Sequence, residues 1–226
     1  MDVSSIIDHT KLNPDTTEIE IKKLCDEAFT NKFATICIMP YYIPFAYDYI
    51  NNKYGEGKVK ICSVIGFPNG AHQTIIKIAE ANKAMLDGAL ELDMVMNLSA
   101  LKSKKIKTVQ ADLTAISNTV HTKNCILKVI IETFLLSDDE KKLACELVNL
   151  SGSDFIKTST GFNGGGATVN DIELIKKYSK PEMKIKASGG IYTYEMAKKL
   201  IEAGATRIGT SKSIEIIKNQ NYINGS

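Results

Sequence analysis

What this chain lacks narrows it before any motif is found. Its five cysteines, Cys25, Cys37, Cys62, Cys125 and Cys145, are odd in number and form no CxxC. That argues against a disulfide framework and makes a reduced cytoplasmic compartment the simplest reading. The opening MDVSSIIDHTKLN has no basic n-region and no long apolar h-region, so no signal peptide is expected, and no apolar run is long enough to span a membrane. His9, His72 and His121 show neither HxH nor HExxH spacing, which speaks against a metal; each reads as an ordinary core or surface histidine. GxxxxGK[ST] is absent, the GFNGGG stretch does not open a βαβ unit near the N-terminus, and no nucleophile elbow starts a Ser-His-Asp reading. Charge of one sign is not in excess: the net charge is +2, and lysines alternate with acids instead of clustering. A nucleic-acid partner is therefore not expected. No Pro/Ser linker or low-complexity block divides residues 1–226, so one domain is expected.

What is present is an alternation. The chain has 226 residues, of which 44% are hydrophobic, enough for a sizeable core. Eight short apolar or β-branched runs recur: SIID, ATICIMP, VKICSVIGF, ELDMVMN, CILKVIIET, DFIKTST, MKIKASGG and TRIGT. Amphipathic stretches lie between them. TTEIEIKKLCDEAF begins with Thr16 and Thr17 as N-cap candidates, and Ile21, Leu24 and Ala28 share a face. SDDEKKLACELV opens with Ser137 and three acids in its first turn, which suits the helix dipole. TYEMAKKLIEAG ends on Gly204, a good residue for the end of a helix. Strands alternating with helices pair in parallel through right-handed crossovers. An open doubly wound sheet could use this pattern, but eight units at roughly even spacing favour a closed (β/α)₈ TIM barrel in a single domain.

Strand parity then sorts the side chains. In ELDMVMN, Leu92, Met94 and Met96 would face the helices, with Glu91, Asp93, Val95 and Asn97 inside the barrel. In FIKTS, Phe155, Lys157 and Ser159 would point inward. Lys157 is the residue that calls for an explanation, because a strand core there would ordinarily carry valine or isoleucine. A free lysine has a pKa of about 10.4, so at neutral pH only about one molecule in a few thousand carries the amine that attacks carbonyls. Desolvation and a second cation both favour the neutral form. Lys186, in the next strand, is the candidate cation; equivalent positions on neighbouring strands lie about 5 Å apart. As an ammonium it would lower the pKa of Lys157 toward the range of about 7–8 in which catalytic lysines work. The plainer alternative is two solvated lysines at strand ends.

Asp93 is costly inside a barrel unless paired, and Lys186 would pair with it; a structural ion pair is the alternative. Asp8, in IIDHT, has the same parity argument, against the reading of an aspartate in a turn. Gly161 after the sixth strand, Gly189 and Gly190 after the seventh, and Gly209 with Ser211 after the eighth expose backbone N–H groups at the end where barrels bind phosphate. Gly164 to Gly166 receive no specific role.

Taken together, IDHTKLN, ICIMP, VIGFPNG, ELDMVMN, LKVIIET, FIKTSTGF, KASGGI and RIGTS resemble the deoxyribose-phosphate aldolases, a class I aldolase family, in the family's order and over nearly the whole chain. The resemblance implies a (β/α)₈ barrel, no metal or cofactor, and reversible cleavage of 2-deoxy-D-ribose 5-phosphate to D-glyceraldehyde 3-phosphate and acetaldehyde in deoxyribonucleoside catabolism. It implies that Lys157 is the Schiff-base lysine, Lys186 the second lysine, Asp93 the aspartate that relays protons with it, and Asp8 a further aspartate of the site. It places Gly161, Gly189, Gly190, Gly209 and Ser211 at phosphate-binding positions. Cys37 falls on a cysteine close to the site in relatives, where a packed strand cysteine is the simpler reading. A cytoplasmic homodimer is the implied assembly. Some members carry lysine after STG and arginine after GG(V/I). Here Phe162 and Tyr192 stand there, so the phosphate would lean more on backbone N–H groups. Some also end in a tyrosine-bearing tail that reaches the site; Tyr222, in NQNYINGS, does not align with it and receives no role. The rivals are another phosphosugar barrel, such as an isomerase without an imine, and a non-catalytic sugar-phosphate sensor.

Overall fold

Each β-branched run contributes a strand, although Ser5 and Ile6 of SIID lie in a short 3-10 turn, Ser4–Ile6, ahead of theirs, and the amphipathic stretches between them form helices. The structure is a computed structural model that describes residues 3–224, the side chains from 221 onward excepted. Tyr222 therefore lies outside the described side chains. The strands are β1 (Ile7–Lys11), β2 (Thr35–Ile38), β3 (Ile61–Ile65), β4 (Glu91–Val95), β5 (Ile126–Ile130), β6 (Phe155–Lys157), β7 (Lys184–Ser188) and β8 (Arg207–Thr210). They pair in parallel in sequence order and close through β8 onto β1. The barrel, not the open sheet, is the observed solution.

The helices are α1 (Glu18–Asn31), α2 (Ile43–Tyr54), α3 (Thr74–Leu86), α4 (Leu98–Lys102), α5 (Ile106–His121), α6 (Asp138–Ser151), α7 (Val169–Tyr178), α8 (Tyr194–Ala203) and α9 (Ser213–Asn224). Local sequence explains their ends. Thr17 and Ser137 close capping boxes with Glu20 and Glu140 at the starts of α1 and α6, which satisfies two orphan donors at each end. Gly204 follows α8 with φ 131°, a backbone that side chains rarely adopt. Among the described residues, no helix is long and apolar enough to cross a membrane.

The two faces of each strand meet different surroundings. Ile36, Leu92, Met94, Leu127, Val129, Ile156 and Ile208 face outward and join the helices in one apolar layer. The barrel interior is divided. Leu12, Cys37, Cys62 and Val64 form a small apolar cluster toward β1–β3. The remaining interior carries charge: Asp8, Glu91, Asp93, Lys128 and Lys186 are all buried there. That distribution sets the site.

Candidate active site

Register places the predicted residues side by side. Lys157 on β6 pairs with Lys186 on β7, and Asp93 on β4 pairs with Lys128 on β5. Asp93 Oδ2 accepts hydrogen bonds from Lys157 Nζ at 2.7 Å and from Lys186 Nζ at 2.6 Å. Asp93 thus bridges both lysines, where the sequence suggests a partnership with Lys186 alone. Asp8, at the start of β1, accepts from Lys186 Nζ, from Arg207 Nη1 at 2.6 Å and from Thr35 Oγ1 at 2.8 Å. Lys157, Asp93, Lys186 and Asp8 thus form one buried cluster.

Three further charged groups complete it. Lys128 Nζ lies 2.9 Å from Asp93 Oδ1, 2.7 Å from Glu91 and 3.7 Å from Asp8. Arg207 Nη1 also reaches Glu91 at 3.0 Å. Cys62 Sγ donates to Asp93 Oδ1 at 3.2 Å. The parity signal that exposes Lys157 also exposes Lys128, a lysine between Leu127 and Val129 in ILKVI, and Arg207, which opens RIGT. Reading every charged residue in a strand by parity finds both.

The electrostatics follow from burial opposed by opposite charge. Burial alone would raise the Asp93 carboxyl, but Lys128, Lys157 and Lys186 outweigh it and hold the group well below the usual carboxylate range. Asp8 is likewise held down, by Lys186, Lys128 and Arg207 against burial. Burial would lower Lys186, but Asp8 and Asp93 push it above the ordinary lysine value, so it stays an ammonium. Lys128 is raised for the same reason, by Asp93, Cys62, Asp8 and Glu91.

Lys157 is the member of the cluster that lines an open cavity, of about 350 Å³, at the C-terminal ends of the strands. It is 3% exposed. Four segments wall the cavity: Thr10, Leu12 and Asn13 at the end of β1; Thr160, Gly161 and Phe162 after β6; Gly189, Gly190 and Tyr192 after β7; and Gly209 and Thr210, the last two residues of β8, with Ser211 beyond them, so Gly209 stands in the strand and not in the loop where the sequence places it. All five predicted phosphate positions are therefore brought together. Among the described residues, the N–H groups of Gly161, Gly190 and Ser211 donate to no group of the chain. Gly161 and Gly190 have φ of 83° and 72°, which turns these amides in a way that favours glycine. Gly209 does something further: a Cβ there would come within 2.9 Å of Lys186 Cε, so its bareness makes room for that lysine. Phe162 meets Phe67 edge to face at 5.1 Å, and it and Tyr192 are 47% and 61% exposed at the rim.

The loops are held to one another. Ala167 N–H donates to Gly189 O at 3.0 Å, and Thr210 Oγ1 donates to Ile191 O at 2.7 Å. A Cβ on Gly166 would lie 2.3 Å from Gly189 O, and one on Gly165 would lie 2.2 Å from the Phe134 ring. Close approach is thus the role of these two glycines, which sequence alone left unassigned.

Cys37 lies beneath the cavity, in register with Cys62 on β3. Hydrogen bonding from Cys62 lowers its thiol from the ordinary value despite burial, with Lys186 and Lys157 adding to the effect. The donor atoms of Cys37, Cys62 and Asp93 come within 4.8 Å of one another. The Lys128 ammonium already bonds two of the three, with Cys62 Sγ at 3.3 Å. A cation thus occupies that position, and the trio fits a metal poorly.

A closed barrel whose strand ends carry a lysine–carboxylate cluster beneath glycine-lined loops is the arrangement of a (β/α)₈ enzyme. The chain belongs to the DeoC/LacD family of aldolases, whose model matches residues 3–215. It is accordingly an aldolase, a carbon–carbon lyase. It is 50% identical over 218 residues to the deoxyribose-phosphate aldolase of Thermococcus gammatolerans, covering 96% of each chain. The solved structure of an aldolase called QR15 superposes with a TM-score of 0.92 at 41% identity over the whole of both chains. That of the Aeropyrum pernix deoxyribose phosphate aldolase, described as a unique tetramer, superposes with a TM-score of 0.90 at 32% identity, covering 98% of this chain and 92% of that one. The fold and the family expected from the sequence are both borne out.

Proposed function

We propose that this chain cleaves 2-deoxy-D-ribose 5-phosphate reversibly to D-glyceraldehyde 3-phosphate and acetaldehyde through a Schiff base on Lys157, in deoxyribonucleoside catabolism. The relatives' names support the substrate. The observation that carries the chemistry is the composition of the buried cluster. Three carboxylates, Asp8, Glu91 and Asp93, face four basic groups, Lys128, Lys157, Lys186 and Arg207. In a low-dielectric interior the cluster is best balanced when one basic group is neutral. Lys186, Lys128 and Arg207 each touch at least two carboxylates, whereas Lys157 touches Asp93 alone and opens on the cavity. Lys157 is the group that yields its proton at least cost.

The neutral Lys157 amine attacks C1 of the open-chain sugar, and loss of water leaves an iminium ion. A two-carbon and a three-carbon product require the C2–C3 bond to break. The C3 hydroxyl loses its proton, the C2–C3 electron pair moves into the iminium, and glyceraldehyde 3-phosphate departs. The remaining enamine is protonated at C2, and water hydrolyses the resulting iminium to acetaldehyde and free Lys157. Asp93 and Lys186, with water, move the protons. Asp8 holds Lys186 in its charged form. The amides of Gly161, Gly189, Gly190 and Ser211 receive the phosphate and fix the reacting end of the chain, and Gly209 between them leaves room for Lys186.

The same reading covers residues 1–226 as one catalytic domain. A cytoplasmic location is supported by five buried cysteines, all free. A homodimer is part of it; the tetrameric description of the Aeropyrum pernix relative makes mass measurement in solution the check on the count. The activity is tested by incubating the protein with 2-deoxyribose 5-phosphate and assaying acetaldehyde. Release of acetaldehyde supports the aldolase. Binding without release would indicate a sensor, and conversion to an isomeric phosphosugar would indicate an isomerase.

A further inference from the structure

We infer that Glu132 is the positioning residue that sets the shape of the phosphate loop after β6, an inference that rests on the phosphosugar reading above. Glu132 lies just beyond β5 in a left-handed conformation, φ 51°, uncommon for a residue with a side chain. It is fully buried, and among the described residues its carboxylate forms no salt bridge with a basic side chain. A buried carboxylate without a cation is expensive unless donors surround it. Here every donor to it comes from the neighbouring loop. Thr160 N–H reaches both oxygens at 3.2 Å, the Thr160 hydroxyl donates to Oε2, and Asn163 Nδ2 donates to Oε2 at 2.9 Å.

The loop is shaped through Thr160. Its hydroxyl, turned toward Glu132, accepts from Phe162 N–H at 3.1 Å. Gly161 is thereby held between two fixed residues, with its own N–H left free at the cavity. The segment after Glu132 continues the mould: Thr133 N–H bonds Thr158 O at 3.0 Å, and the Phe134 ring occupies the space a side chain on Gly165 would need. Only a carboxylate offers acceptors alone to this set of donors; an amide would turn its NH₂ against one of them. Glu132 does not touch the cavity and acts through Thr160 and Gly161.

The test is Glu132→Gln, read by two assays. The first is cleavage of 2-deoxyribose 5-phosphate. The second is exchange of acetaldehyde methyl protons into D₂O, which needs enamine formation on Lys157 but no phosphate. The expected result is a KM for the phosphorylated substrate raised about tenfold or more, with acetaldehyde exchange within about twofold of wild type. An unchanged KM overturns the inference, and so does an equal loss in both assays, which marks a merely structural role. If the Gln variant does not fold, Asn163→Ala removes one donor at a half-buried loop position. It should raise KM by about two- to fivefold with exchange intact, and an unchanged KM there overturns the inference as well. A wild-type protein that exchanges no acetaldehyde protons sinks the Schiff-base reading itself, and this inference falls with it.

Discussion

Lys157 and Lys186 stand in register on adjacent strands and direct their nitrogens at one and the same oxygen, Asp93 Oδ2, at 2.7 and 2.6 Å. Two ammonium groups sharing one oxygen repel each other, and only Lys186 has a second carboxylate, Asp8, to compensate it. Lys186 is thus held by two carboxylates and Lys157 by one.

The first prediction follows from that asymmetry. In Lys186→Leu the neighbouring cation is gone, so the protonated form of Lys157 is less disfavoured. The acidic limb of the pH–rate profile should move to higher pH by about one unit or more, with lower activity at neutral pH. Lys128→Met also removes a positive charge from the cluster and should shift the limb in the same direction. Profiles whose acidic limbs do not move would contradict the charge balance.

Asp8 makes a prediction about stability. Lys186, Lys128 and Arg207 hold its carboxyl below the usual range against the effect of burial. A depressed carboxyl contributes stability that is fully present above its unfolded value, about pH 4, and is lost only as pH falls further. Asp8→Asn leaves Lys186 and Arg207 short of a buried counter-charge and should cost about 3–5 kcal/mol in urea unfolding. The gap to wild type should hold steady from about pH 7 to 5 and narrow only below about pH 4. A gap that closes above about pH 5 would contradict the assignment.

Gly166→Ala tests the contact between loops. The new Cβ would sit 2.3 Å from Gly189 O, so one backbone must move. A destabilisation of about 1–3 kcal/mol is expected. KM for the phosphorylated substrate should rise more than kcat falls, because the two loops proposed to hold the phosphate would be pushed apart. Steady-state kinetics with wild-type values would show that the spacing of the loops is unimportant.

Phe162→Lys places a cation at the rim, where the aromatic ring now leans on Phe67. A lysine there should lower KM for 2-deoxyribose 5-phosphate by about three- to tenfold at low ionic strength, with the gain shrinking as salt is added. An unchanged KM would mean that the phosphate does not lie against this loop.

Much of this architecture was legible in the sequence because period-2 patterning is strict in a closed barrel. Asp93 and Lys157 were placed inside by parity, and the structure finds both there. Thr17 and Ser137 announced their helices through capping chemistry. What sequence could not show were contacts across distant strands. That Lys128 and Arg207 complete the cluster depends on which carboxylates lie opposite, and Arg207 and Glu91 are far apart in the chain. Gly165 and Gly166 looked like generic loop glycines, because the groups that require them, Phe134 and Gly189 O, belong to other loops.

The central claim is that Lys157 forms the covalent intermediate. The most direct measurement is incubation with 2-deoxyribose 5-phosphate and borohydride, followed by peptide mass mapping. The account predicts a reduced, alkali-stable adduct on Lys157 and none on Lys186 or Lys128, together with loss of turnover in Lys157→Ala. Full turnover by that variant, or a wild-type enzyme that turns over while forming no adduct, would contradict it.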